Sequence, residues 1–163
     1  MSQDENISHA VKQQLIDYFE YLANRIERLT RVLPPEKFWI NPFPFGNSIG
    51  HIIVHLTGSV RHFIGVRCAG IEYERDRDGE FNDKSGRNVD EVLSQFQEAI
   101  DMVIQTLHYP EKIDLGAPVT FGGEPVRNQF GLFLVSAAHM NNHVGQIVYL
   151  LHAHGIHLDD QSW

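Results

Sequence analysis

Apolar residues recur along this chain at helical spacing. Val11, Leu15, Tyr18, Leu22, Ile26 and Leu29 follow one another at steps of three and four with polar residues between them, which predicts an amphipathic helix. Pro34 and Pro35 end it. After an irregular stretch rich in Pro and aromatic residues, Asn47 or Ser48 offers an N-cap for a second helix running to about Cys68, with Ile52, Leu56, Ser59, Phe63 and Val66 as its seam. Val89, Val92, Phe96, Ile100, Val103 and Leu107 mark a third helix. A fourth runs from about Asn128 to His154 and stops at Gly155 in the C′ position. The pattern predicts an all-α fold, a four-helix bundle, and the 163 residues suit a single domain over 1-163.

Two connections are longer than an up-and-down bundle requires. The stretch from Gly70 to Asn88 is rich in Gly, Asp, Arg and Asn and nearly devoid of apolar residues, so it reads as an exposed, solvated loop, with a lid or a partner-binding loop as the alternative. The stretch from Tyr109 to Arg127 carries Val119-Thr120-Phe121 and Pro125-Val126 around Gly122-Gly123, a weak hairpin signal. Long crossover connections let consecutive helices run parallel, and at least one crossover is expected. From Asn128 to Gly155 there is no Asp, Glu, Lys or Arg, so both faces of the fourth helix are expected to be covered. One face packs in the bundle and the other against a partner chain or a neighbouring loop; the length of uncharged surface predicts a homodimer. Polar residues from His139 to Gln146 interrupt the apolar run, which excludes a membrane span.

Composition narrows the function classes. With 13 Lys plus Arg against 21 Asp plus Glu, the formal charge of -8 repels nucleic acid and anionic membrane surfaces alike. The first residues carry Asp4 and Glu5 and no apolar run, unlike a signal peptide, and Cys68 has no second cysteine to pair with. A cytoplasmic protein is the expectation. Against that background the 10 histidines stand out, since imidazole suits both metal binding and proton transfer near neutral pH.

Four of those histidines fall in two pairs. His51 and His55 lie one turn apart on the second helix and His139 and His143 one turn apart on the fourth, each just before a seam residue. Buried imidazoles without a partner are costly, and one metal ion shared between the two pairs would satisfy them together. Small residues, Gly58, Ser59 and Ser136, leave room beside the pairs, and Gln146 sits one turn beyond His143, where it can orient a ligand or hold a water. His62 reads as a core histidine. The group His152, His154 and His157 with Asp159 and Asp160 lies at and beyond the helix stop, without fixed geometry. Cys68 reads as packing. No carboxylate stands near the paired histidines in sequence, which argues against peptide hydrolysis of the His-Glu-x-x-His kind.

The segments Asn47-Ser48-Ile49-Gly50 running into Val54-His55-Leu56, and His139-Met140-Asn141-Asn142-His143-Val144-Gly145-Gln146-Ile147, resemble the DinB-like (DinB/YfiT) family. Chain length, helix order and the long connection after the second helix match as well, so the resemblance covers essentially the whole chain and is similar to a subgroup without an assigned reaction. It implies a four-helix bundle of unusual topology, frequent dimerisation, and one divalent metal held by His55, His139 and His143, with His51 an extra. Zinc or nickel is the expected ion. His51, Asn142, Gln146 and Ser59 are then candidate residues around the ligands or in the pocket, with no catalytic residue assigned. The implied function is metal-dependent chemistry on a small molecule, thiol S-transfer or hydrolysis, with a thiol among the candidate substrates and neither nucleic acid nor membrane as a partner. The rival reading is a non-catalytic dimeric metal-binding or stress-response protein.

Overall fold

A computed structural model of the chain describes residues 3–109, 113–119 and 127–158. Five helices account for most of them: α1 (Gln3–Arg31), α2 (Ile49–Val60), the five-residue α3 (Arg77–Phe81), α4 (Val89–His108) and α5 (Gln129–Ala153). Local chemistry sets their starts. Ser48 caps α2 by accepting from His51 N, Asn88 and Glu91 form a reciprocal capping box on α4, and Asn128 caps α5 by accepting from Gly131 N. Gly155, with φ of 83°, takes the left-handed conformation that stops α5.

The four long helices form one bundle in which α1 and α2 each pack against both α4 and α5. Arg31 at the end of α1 pairs with Asp90 at the start of α4, and Lys12 Nζ donates to Ile113 O just beyond it, so these two helices are antiparallel. Phe19 meets Phe133 edge to face and Lys37 reaches His154 O, so α1 and α5 run parallel. Arg61 reaches Gln95 O and Glu98, while Gly65 faces Met102. Hence α2 and α4, consecutive long helices, are also parallel, and the segment from 70 to 88 is the crossover that returns the chain along the bundle.

Beyond Val60 the second helix continues to Ala69 with the wider π turn. That shift moves the seam. Val60 and Ile64 are buried where the spacing pointed to Phe63 and Val66, and half-buried Phe63 is left to line a cavity. In α1 the inward residue is Phe19, while Tyr18 turns outward and stacks on Tyr21. The third helix buries Val92, Phe96, Ile100, Val103 and Leu107, as its periodicity indicates. Of the hairpin signal, the described ends pair: Pro118 bridges Asn128 in antiparallel fashion, and the Gly-Gly turn lies outside the described residues. Among the described residues no helix is long and apolar enough to cross a membrane.

The 70–88 crossover is largely exposed, as its composition suggests, but it is anchored to the bundle at one buried charged residue. Gly70 turns the chain at φ of 69°, Ile71 N bonds back to Gly65 O, and α3 carries a buried Glu80 against α2. Polar composition conceals this anchor because the buried group is itself charged and compensated by a neighbour. The packing makes a direct prediction: Phe133, fully buried against Phe19, should cost about 3–5 kcal/mol of stability when replaced by Ala, read as a lower urea midpoint with an unchanged denaturant slope.

Candidate metal centre

Antiparallel α2 and α5 bring three histidines face to face. His55 Nε2 lies 3.2 Å from His139 Nε2, and His143 Nε2 lies 3.0 Å from the same atom. One nitrogen from each ring falls within 4.8 Å of the others. Nitrogens bound to one ion at about 2.0–2.1 Å stand roughly 3 Å apart, so the two short separations match a common ion. The rings of His55 and His139 cross at 89° and those of His139 and His143 at 75°, presenting edges rather than faces.

The opposite nitrogens decide which atoms face inward. His55 Nδ1 sits 2.9 Å from Glu80 Oε2, and His143 Nδ1 sits 2.8 Å from Gln146 Oε1. Both partners are acceptors, so each Nδ1 carries the proton and each Nε2 presents a lone pair toward His139. A single proton on His139 Nε2 cannot serve both at full strength. Two lone pairs converging on one point fit a cation better than they fit each other, and this is the donor set that a divalent ion from the transition series takes. Ser59 Oγ, 3.4 Å from His139 Nδ1, borders the third ring.

Glu80 is the residue that links the crossover to the site. It is 4 % exposed, and its carboxylate is gripped by the Arg75 guanidinium through Nε to Oε1 at 2.7 Å and Nη2 to Oε2 at 2.8 Å. Burial pushes the Glu80 carboxyl up, but Arg75 and His55 outweigh it and hold the group below its ordinary range. Asp76 caps α3 by accepting from Gly79 N at 2.9 Å, which aims Glu80 inward. Gly58 makes the approach possible. A Cβ there would stand 2.0 Å from Glu80 Oε1, so the space beside His55 that the small residue leaves is filled by this carboxylate.

Burial, followed by the neighbouring His143 and His55, pushes His139 down to about 4, and burial with His55 also lowers His143. These rings therefore stay neutral at physiological pH, the form in which imidazole binds metals. A cavity of about 410 Å³ opens beside His55 and His139, lined by Ser59, Ser136, Phe63, Leu132 and Val135 with Arg75 and Arg77.

Other histidines singled out by spacing lie elsewhere. His51 is kept apart from the three: its Nδ1 meets Ser48 Oγ at 2.7 Å, its Nε2 meets Asp83 O at 3.2 Å, and Trp39 packs against its ring. Helix capping thus satisfies the imidazole that a shared ion was expected to satisfy. Asn142 is exposed and lines a different cavity, with Phe43 and Tyr149. His62 packs on Phe63. His154 Nε2 meets Ile40 O at 3.2 Å, and His152 faces His157, while Asp159 and Asp160 lie outside the described residues. Burial raises the Cys68 thiol to about 11, which makes it a poor nucleophile. Glu80 and Arg75 were missed. The available signals were Asp76 at an N-cap position before Glu80, and a glycine one turn from a proposed ligand.

The family model described as a protein of unknown function (DUF1572) matches residues 6–163. The chain belongs to the DUF1572 family. No curated protein matches it. Among solved structures, this DUF1572 chain is similar to a crystal structure of a protein provisionally assigned to the DinB family from Exiguobacterium sibiricum 255-15. The two share 18% sequence identity and a TM-score of 0.67 over 91% of this chain and 96% of the other. At that identity the likeness shows the fold, a DinB-like all-α bundle.

A pH prediction follows from the neutral rings. His139 titrates near 6.5 when unfolded and near 4 when folded, so in that window the unfolded chain binds more protons. Stability should therefore be full above about 6.5 and fall as pH drops toward 4. Urea denaturation with a chelator present should show this loss, and His139→Gln should flatten it; an unchanged profile would place the acid sensitivity elsewhere.

Proposed function

We propose that this DUF1572 protein holds one divalent ion, zinc or nickel, between His55, His139 and His143 and uses it on a small molecule, a thiol or a hydrolysable compound, admitted by the adjoining cavity. The observation that carries this reading is the convergence of two lone pairs, His55 Nε2 and His143 Nε2, on His139, with each outer nitrogen tied to an acceptor. When bound, such an ion supplies the Lewis acidity that lets a water or a thiol lose its proton near neutral pH.

The chain's own residues then divide the remaining work. Glu80 and Gln146 fix the tautomers of His55 and His143, and Arg75 keeps Glu80 ionised and oriented. With both oxygens engaged, Glu80 is a positioning group rather than a free general base. Ser59 and Ser136 put hydroxyls on the cavity wall, and Leu132, Val135 and Phe63 give it an apolar side. A cytoplasmic setting belongs to the same proposal, supported by the acidic charge and the single cysteine.

A second reading is a non-catalytic dimeric metal-binding or stress-response protein, and the support for a dimer is the outer face of α5. Phe130, Leu134 and Tyr149 are exposed there, Leu134 at 55% and Tyr149 at 67%, on a helix without charged residues. A homodimer through this face is compatible with either reading, so turnover separates them.

Elemental analysis of untagged protein should find about one equivalent of a divalent ion. His55→Ala, His139→Ala and His143→Ala should each release it, whereas His51→Ala and His152→Ala should not. Glu80→Gln and Gln146→Ala should weaken binding by about ten- to hundred-fold. Metallated protein screened against thiols with electrophiles, and against esters and amides, should show activity that rises through about pH 7 and disappears on chelation. Full metal occupancy with no turnover would leave the binding reading. Light scattering should report a dimer at micromolar concentration, and Leu134→Asp should shift it to monomer; a wild-type monomer would remove the dimer.

A further inference from the structure

The cavity beside the three histidines has one chemical asymmetry that the metal reading does not use. Its inner wall is apolar, from Leu132, Val135 and Phe63, with Ser59 and Ser136 near His139, while Arg75 and Arg77 supply two guanidinium groups. Arg75 is already committed to Glu80 and lies over the Phe63 ring at 5.6 Å. Arg77 is exposed and, among the described residues, its side chain takes part in no hydrogen bond or ion pair.

That isolation is informative because acids are in surplus. The chain carries 21 Asp plus Glu against 13 Lys plus Arg, and Arg77 is flanked in sequence by Asp76 and Asp78. Asp76 is turned away to cap α3 through Gly79 N. Three arginines nearby have carboxylate partners: Arg61 has Glu98, Arg75 has Glu80 and Arg87 has Asp83. Arg77 is thus a guanidinium at the cavity mouth whose donors are not taken by a carboxylate of the chain. Guanidinium offers a planar fork that matches carboxylate geometry, and beside a low-dielectric wall its attraction for an anion is less screened than on open surface.

We infer that the cavity of this protein takes a small organic anion, an apolar body carrying a carboxylate, with Arg77 reading the carboxylate and Leu132, Val135 and Phe63 holding the body. The inference rests on the proposed function in taking this cavity as the substrate site, yet it depends on Arg77 and not on an ion. Its volume of about 410 Å³ lies in the range of small-ligand pockets. The uncharged half of the ligand would extend toward Ser59, Ser136 and His139, which puts its reactive end, rather than its carboxylate, beside the histidines.

The test uses hexanoate and the uncharged hexanamide, titrated by ligand-observed NMR into the full chain in chelator-treated and zinc-treated forms. Hexanoate should bind about ten-fold more tightly than hexanamide in both forms. Arg77→Gln should erase that preference, Arg77→Lys should keep most of it, and Arg28→Gln, which removes an exposed cation outside the cavity, should leave it intact. Equal binding of the two probes by the wild type, or no binding of either, overturns the inference. A preference seen only with zinc and surviving Arg77→Gln also overturns it, since the ion would then read the carboxylate, while supporting the metal reading. An Arg77-dependent preference in protein that takes up no zinc sustains the inference and removes the metal reading.

Discussion

The hydrogen bond from His55 Nδ1 to Glu80 is the contact on which the site depends. It joins a helix of the bundle to a crossover segment that is 25 residues away in sequence, and it does so in a place where both groups are almost fully buried. An ionised carboxylate there is tolerable only because Arg75 grips it with two donors. Removing any one of the three would leave a buried charge or a buried donor without a partner. Such a network adds little net stability compared with an apolar replacement, but it permits one arrangement of His55 and of the crossover. Specificity of geometry is what a ligand set requires, and that requirement explains a polar triad in the middle of an otherwise hydrophobic seam.

Backbone features adapt the bundle to this contact. Gly58 removes the one side chain that would collide with Glu80, and the wider helical turn from Arg61 to Ala69 rotates Phe63 toward the cavity while Ile64 keeps the seam sealed. Gly65 then lets Ile71 lie against the helix, since a Cβ there would approach Ile71 Cδ1 to 2.6 Å. The start of the crossover is thus pressed onto α2 before it reaches Arg75. A straight α-helix with average side chains would hold the chain too far out for Glu80 to reach His55. Local packing, parallel α2 and α4, and the orientation of one imidazole are therefore parts of a single geometric solution.

Much of this was legible in the order of residues, and the limits have physical causes. Helical periodicity located all four long helices, and the caps at Ser48, Asn128 and Gly155 behaved as local chemistry dictates. His55, His139 and His143 stood out because i, i+4 spacing on two amphipathic helices is a local signal with a spatial consequence. His51 shares that spacing but turns to Ser48 and the Asp83 carbonyl, a competition that periodicity alone cannot resolve. Glu80 was invisible for the opposite reason. Charged residues in a Gly- and Asp-rich stretch ordinarily face water, and its burial depends on Arg75 and Gly58, neither of which lies beside the other in sequence. In α1 the helix was evident but its inward face was off by one residue, Phe19 for Tyr18, since a tyrosine and a phenylalanine differ only slightly in their preference for the core.

The charge balance around the three histidines connects the site to what it would bind. The rings of His139 and His143 are kept from protonation by burial and by their neighbours, and the one nearby carboxylate, Glu80, is matched by Arg75. Protein groups at this point therefore sum to roughly zero charge. A divalent cation held there would remain almost uncompensated by the chain, unlike one in a site with carboxylate ligands, and Arg77 adds a further positive charge at the cavity. Positive potential of that kind favours whatever brings negative charge from outside: a deprotonated water, a thiolate or a carboxylate. Both the deprotonation that an open coordination position would promote and the proposed retention of an organic anion at Arg77 would draw on this same imbalance. In a chain of net charge -8, a guanidinium beside an apolar wall would set this cavity apart from the rest of the surface for a small anionic substrate.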